Sequence, residues 1–139
     1  FVEDSLVLCS SSDYFRAALR SGMKESQAKR FDFPDKDPKE WELVRELLRP
    51  FPEHQITLEN MKTVLSWFDE LCVTRGLKEC DRLLEKIVDK QCEIIGNDDD
   101  MSLRRRSAAG YVEALDISFR FELPRSKELV VECVANNFR

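Results

Sequence analysis

The residues after Thr57 constrain the fold most, because their apolar side chains recur at the spacing of an α-helix. The recurring positions are Met61, Val64, Leu65, Phe68, Leu71 and Cys72. Intervals of three and four residues place these side chains on one face, and such a stripe must pack against a core. With Thr57 as the cap, the stretch predicts an amphipathic helix in a packed helical domain.

The N-terminal part predicts two short helices and a strand. Residues 4–21 carry apolar positions at helical spacing, and Ser11 or Ser12 can cap the second helix. Gly22 ends it, since glycine readily adopts the left-handed conformation found at helix ends. Residues 29–34 alternate apolar and polar side chains, which predicts a short strand that ends at the proline.

Further helix signals follow. Asp37 can cap a helix whose first position suits Pro38. Gly76 predicts a turn, and the helix after it ends near Gly96. Residues 97–106 hold a run of aspartates and a run of arginines, which predicts a charged linker with compensating charges.

The tail predicts two more helices, roughly over residues 108–121 and 125–138. A weak echo links this tail to the preceding region at a spacing of fifty residues. Its members are Leu65, Leu71 and Val73, which recur as Leu115, Phe121 and Leu123. The echo predicts two similar helix–turn–helix packings and not a repeat array.

Composition limits the class of protein. Hydrophobic residues make up 42% of the chain and charged residues 35%, which fits a folded helical domain with solvated outer faces. The net charge of −5 argues against nucleic-acid binding, because phosphate contacts need clustered Lys and Arg. The chain has 139 residues and no apolar run long enough to span a bilayer, so we expect no membrane association.

The five cysteines predict free thiols in a reducing compartment, either the cytoplasm or the nucleus. Their odd number argues against a disulfide framework, and without C-x-x-C spacing structural zinc is not expected. Cys72, Cys80 and Cys92 fall on apolar helix faces, which favours buried core thiols. A thiol-dependent enzyme would need a histidine beside one of them, and the only histidine, His54, lies in a proline-flanked loop.

Three ordered blocks of residues carry a resemblance to a known family. They are Leu8, Ser12, Tyr14 and Phe15 with Gly22-Met23-Lys24-Glu25-Ser26; Phe31-Asp32-Phe33-Pro34; and Ile56-Thr57-Leu58-Glu59-Asn60 with Leu65, Leu71, Val73, Leu77, Cys80 and Leu83-Leu84. The set resembles the BTB/POZ domain, a protein–protein interaction module. The resemblance implies an α+β fold, mostly α-helical, in which a helical cluster accompanies a small remnant β-sheet. We expect Leu8, Phe15, Leu65 and Leu77 to meet in one interior.

The resemblance also sets domain boundaries. Residues 1–96 are expected to form the BTB/POZ-like domain, without the N-terminal β-hairpin that usually opens the family fold. Residues 97–139 resemble the helical hairpin, a BACK-like extension, that follows BTB domains in ubiquitin-ligase adaptors. The family's opening strand often contributes to dimerisation, so its absence argues against a family-style homodimer and leaves a sheet edge exposed.

The candidate site lies in the first block. Met23 and Glu25 resemble the hydrophobic-x-glutamate motif with which family adaptors contact a cullin scaffold, and Lys24 lies between them. A methionine can fill an apolar groove while the carboxylate reaches a donor at its rim. Tyr14 cannot share the inward face of Phe15 and is the better surface aromatic. Trp67 neighbours Phe68, and since only one of the two is expected to point inward, Trp67 is a further protein-binding candidate.

These observations predict a non-enzymatic protein-interaction module, acting as a substrate-adaptor part of a cullin-based ubiquitin ligase and needing no cofactor or metal. One alternative is a scaffold or oligomerisation module of a transcription regulator or channel. The other is the thiol-dependent enzyme, which a single fast-reacting cysteine would support.

Overall fold

A computed structural model describes residues 2–22, 24–97 and 101–137, which are mostly helical. The helices are α1 (Ser5–Ser11), α2 (Asp13–Arg20), α3 (Lys24–Ala28), α4 (Pro38–Leu47), α5 (Leu58–Glu70), α6 (Thr74–Asn97), α7 (Met101–Arg120) and α8 (Pro124–Asn137). The chain divides into two compact units, Phe1–Leu77 and Lys78–Arg139. The predominance of helix agrees with the sequence prediction.

Short-range caps start the helices where the sequence predicts. Ser12, and not Ser11, caps α2 by accepting a hydrogen bond from the backbone N–H of Phe15 at 3.2 Å. Asp37 accepts from the N–H of Lys39 at 2.9 Å and starts α4. Each cap satisfies an N–H that has no partner inside its helix, which stabilises the helix by about 1 kcal/mol.

The interior of the first unit joins α2, α4 and α5. Its fully buried side chains are Phe15, Val44, Met61, Val64, Leu65, Phe68 and Leu71. Leu8 is also buried, whereas Leu77 is only half-buried. The helical stripe read from residues 61–71 is therefore the stripe that faces this core.

Three local predictions are wrong. Phe31 and Phe33 lie in irregular chain, and the described residues contain no strand, so the remnant sheet of the predicted α+β fold is not observed. Gly76 lies inside the first turns of α6, where a Cβ would overlap the ring of Phe68. The predicted linker over 97–106 is largely helix, because α7 already begins at Met101; residues 98–100 lie outside the described part.

The loop after α4 is held by a single carboxylate. Glu46 accepts hydrogen bonds from the backbone N–H groups of Glu53 and His54, and its oxygen lies 2.6 Å from the ring nitrogen of His54. The hydrogen bond from Glu53, supported by those from His54, lowers the pKa of Glu46 below its ordinary value. The carboxylate thus replaces the backbone pairing that this loop lacks.

In the second unit, α7 and α8 pack as a helical hairpin, as predicted for the tail. The hydroxyl of Tyr111 donates to the carbonyl of Val130 at 2.8 Å, and burial raises the pKa of that phenol. The buried carboxylate of Asp81 accepts from the N–H groups of Arg125 and Ser126 and from the Ser126 hydroxyl. A side chain from α6 therefore caps α8.

Candidate protein-binding surface

The segment from residue 21 to residue 29 is shaped by two backbones in the left-handed region. Gly22 has φ +69° and Lys29 has φ +49°, and the five-residue helix α3 lies between them. The side-chain amide of Gln27 donates to the carbonyl of Gly22 at 3.0 Å, which ties the end of α3 back to its start. The two turns make α3 a separate short helix beside α2.

The predicted contact residues fall on these two neighbouring helices. Lys24 is exposed at the start of α3, and Tyr14 is half-buried on α2. Met23 and the side chain of Glu25 lie outside the described residues. The ring of Tyr14 lies 6.2 Å from the rings of both Phe31 and Phe33, so Tyr14 joins an aromatic cluster and only part of it reaches solvent.

Trp67 is placed differently from the expectation. It is only 2% exposed and Phe68 only 1%, so the prediction that just one of them points inward is wrong. The indole N–H of Trp67 donates to the carboxylate of Glu40 at 2.9 Å, which allows the polar edge of the ring to be buried. Its ring centroid lies 5.3 Å from that of Trp41. Trp67 is therefore almost fully buried, whereas its role in protein binding stays a prediction.

A lysine covers the remaining side of this tryptophan. The ammonium of Lys36 lies 5.2 Å from the centroid of the Trp67 ring and 2.9 Å from the carboxylate of Glu70. It also donates to the hydroxyl and the carbonyl of Ser66. The half-buried charge is thus paired, hydrogen-bonded and in a cation–π contact, and these contacts offset its desolvation.

An open groove of about 1160 Å³ lies within the first unit and was not predicted. Its lining includes Leu6 and Leu8 of α1, the segment 29–33, Trp41 and Trp67. Within the described residues, the backbone groups of Phe31 and Asp32 make no hydrogen bond. Unpaired backbone donors and acceptors can pair with another polypeptide, although the sheet whose edge was expected here is not observed among the described residues.

The cysteines differ in exposure and in bonding. Cys80 is buried as predicted, and burial raises the pKa of its thiol to about 12. Cys72 is exposed and has φ +51°, so its predicted burial is wrong. Cys92 is bonded to Cys133 in a disulfide, against the prediction of free thiols. No sequence signal marks this pair, because a separation of 41 residues is bridged only by tertiary packing.

The described residues show neither a metal-binding cluster nor a membrane-spanning helix. They contain no group of three or more His, Cys, Asp or Glu side chains arranged to hold a metal ion. None of their helices is both long enough and apolar enough to cross a membrane.

The BTB/POZ family model matches residues 2–87 of the chain. The chain belongs to the BTB/POZ domain family. The match covers all of the predicted contact residues, Tyr14, Met23, Lys24, Glu25 and Trp67. No significant match is found among curated proteins or among solved structures.

Membership of the BTB/POZ family identifies a protein–protein interaction module. The partner-binding prediction is therefore confirmed at that level. The exposed α3 and the groove beside Phe31 are the two features of this BTB/POZ domain that could receive another polypeptide. The groove is lined by aromatic and aliphatic side chains together with charged ones such as Lys29 and Asp32, whereas α3 presents Lys24 to solvent.

Proposed function

We propose that this BTB/POZ domain serves as the substrate-adaptor part of a cullin-based ubiquitin ligase, in the cytoplasm or the nucleus. The contact surface is α3 with the residue before it, so that Met23 and Glu25 bind the scaffold and Lys24 and Tyr14 flank them. The observation that carries the proposal is the isolation of α3 between Gly22 and Lys29, both at positive φ.

This local geometry suits a contact helix. A five-residue helix has little stability of its own, so the turns at its two ends and its packing on α2 must hold it in place. Lys24 is exposed at its first position, which indicates that the start of the helix faces outward. Residues 23 and 25 flank that position, and a methionine and a carboxylate there could reach a neighbouring surface together.

The test exchanges both contact residues at once. The double substitution Met23→Ala with Glu25→Lys should weaken binding to a cullin N-terminal region at least tenfold, which corresponds to about 1.4 kcal/mol. Isothermal titration calorimetry measures the affinity, and a thermal melt shows whether the fold is retained. Because α3 contributes little to the core, we expect an unchanged Tm.

A matched control carries the same chemical change elsewhere. Met101 and Glu128 are both exposed in the second unit, so Met101→Ala with Glu128→Lys alters charge and hydrophobicity equally. This control should bind the cullin region like the original protein. Unchanged affinity in the variant of residues 23 and 25 would remove the adaptor proposal, and so would an equal loss in the control.

The groove favours a second candidate function, a scaffold that assembles copies of the chain. Two copies could pair the free backbone groups of Phe31 and Asp32 and cover the aromatic lining. Light scattering with size-exclusion chromatography separates the candidates. A stable dimer without cullin affinity supports the scaffold, whereas a monomer that binds the cullin region supports the adaptor.

A further inference from the structure

The disulfide of the second unit joins the helix α6 to the helix α8. Cys92 and Cys133 have Cα atoms 6.5 Å apart, within the range that a disulfide spans without backbone movement. Cys92 is half-buried, and Cys133 is 8% exposed. Cys92 is therefore the more exposed residue of the two.

The cross-link lies beyond the two hydrogen-bonded anchors of α8. The start of α8 is held by Asp81, which accepts from Arg125 and Ser126, and its middle by the hydrogen bond from Tyr111 to Val130. From residue 131 to residue 135, Cys133 is the only buried side chain. Breaking the bond to Cys92 would therefore remove the cross-link from residues 131–135, whose other side chains are exposed.

The cellular setting makes such a bond unusual. We expect the chain in the cytoplasm or the nucleus, where disulfides are rare and usually transient or redox-sensing. This bond is partly accessible and joins the C-terminal half of α8 to α6. Such a bond suits reversible oxidation better than permanent cross-linking. Cys80 on the same helix α6 provides the contrast, because its thiol is fully buried and unpaired.

We propose that Cys92 and Cys133 form a reversible thiol-oxidation site that takes glutathione disulfide as its oxidant and fastens the C-terminal half of α8 to α6. The Cys92 thiolate attacks one sulfur of glutathione disulfide, which forms a mixed disulfide and releases one glutathione thiolate. The Cys133 thiolate then attacks the Cys92 sulfur and releases the second glutathione. Two electrons pass to the oxidant, and the two thiol protons end on the two glutathione molecules.

A redox titration tests the site. The full chain is equilibrated in glutathione buffers from fully reduced to fully oxidised, quenched with a maleimide and analysed by intact mass. We expect two thiols to convert to one disulfide within this range and Cys133→Ser to accumulate one glutathione on Cys92. Cys80→Ser should titrate like the original chain. A pair that stays reduced, or stays oxidised, at both extremes would overturn the proposal.

Hydrogen exchange tests the consequence for the helix. Reduction should speed amide exchange at residues 131–135 about tenfold or more and leave residues 124–127 unchanged, because Asp81 still holds that end. The double variant Cys92→Ser with Cys133→Ser should exchange like the reduced chain in every buffer. Equal exchange rates in the oxidised and reduced chains would show that the disulfide does not stabilise residues 131–135 of α8. Neither readout involves cullin binding, so this inference and the adaptor proposal can fail separately.

Discussion

Two corners between consecutive helices, one in each unit, have the same backbone conformation. They differ in the side chains that pack behind them. The first corner is residues 71–73, between α5 and α6, and the second is residues 121–123, between α7 and α8. The middle residues have φ +51° and +54°. The N–H of Val73 donates to the carbonyl of Phe68 at 2.8 Å, and that of Leu123 to Ser118 at 3.0 Å. Both corners therefore end their first helix in the same way.

The side chains that pack behind each corner, called its seal below, are different. In the first corner the ring of Phe68 lies against Gly76, which has no Cβ to obstruct it. Fifty residues later the corresponding positions are Ser118 and Ser126, both buried, and the Ser126 hydroxyl donates to Asp81 at 2.8 Å. One corner is closed by an aromatic ring and the other by a polar cap. Similar chain paths thus tolerate opposite chemistry, provided that each pair of positions is matched in size and polarity.

The largest expected effect is at the ring of the first corner. Phe68→Ala should lower the free energy of unfolding by about 3–5 kcal/mol, because the ring is buried and its removal leaves a cavity against Gly76. Urea denaturation measures it. Phe51→Ala is the matched control, since that ring is 92% exposed and its loss should cost less than about 0.5 kcal/mol. Similar losses in both variants would contradict the aromatic seal.

The buried carboxylate of the second corner is next. Asp81→Asn should lower the free energy of unfolding by about 1–3 kcal/mol, because the amide cannot replace both oxygens that accept from Arg125 and Ser126. Asp89→Asn on the same helix is exposed and should change little. Denaturation of both variants side by side gives the difference. An unchanged free energy of unfolding in Asp81→Asn would show that these hydrogen bonds do not stabilise the second corner.

Exchanging the small residues sharpens the comparison. Gly76→Ala should cost about 1–3 kcal/mol, because the new Cβ meets the Phe68 ring. Ser126→Ala has no such clash and should cost about 1 kcal/mol through the lost hydrogen bond to Asp81. In a double-mutant cycle, the penalty of Gly76→Ala should shrink once Phe68 is already alanine. Additive losses of stability in that cycle would show that the Phe68 ring and Gly76 are not energetically coupled.

The smallest effects are expected at the left-handed residues. Cys72→Gly and Glu122→Gly should each raise stability by up to about 1 kcal/mol, since glycine adopts positive φ without strain. The two gains should be equal within error, because the backbones match. Thermal melts of the two single variants provide the check. A gain in stability at only one corner would show that the two backbones are not equally strained.

The starts of α2 and α4 were readable because their signals are local. Ser12 and Asp37 cap helices through hydrogen bonds to residues two or three positions away, so the pattern of a few residues is sufficient. The echo between the two corners was also visible, since buried residues such as Val73 and Leu123 recur at corresponding positions. The BTB/POZ resemblance built on these blocks is confirmed by the family match.

The candidate site stays a prediction. Lys24 is exposed at a helix start and Trp67 is buried, while the protein-binding roles of both stay predictions. Helical periodicity points the side chains of Trp67 and Phe68 in different directions, which predicts that only one of them is buried. Because the indole N–H of Trp67 donates to Glu40, both rings are buried. The roles of Met23 and Glu25 in cullin binding stay a prediction.

The amino-acid sequence by itself determined where α2 and α4 begin and which stripe of α5 faces a core, because capping and periodicity act over one or two turns. Tertiary structure decided the features that depend on distant residues. The segment at Phe31 alternates like a strand but forms none, since a strand requires a partner for its backbone groups. The cap from Asp81 to Ser126 and the bond from Cys92 to Cys133 likewise join residues that only folding brings together.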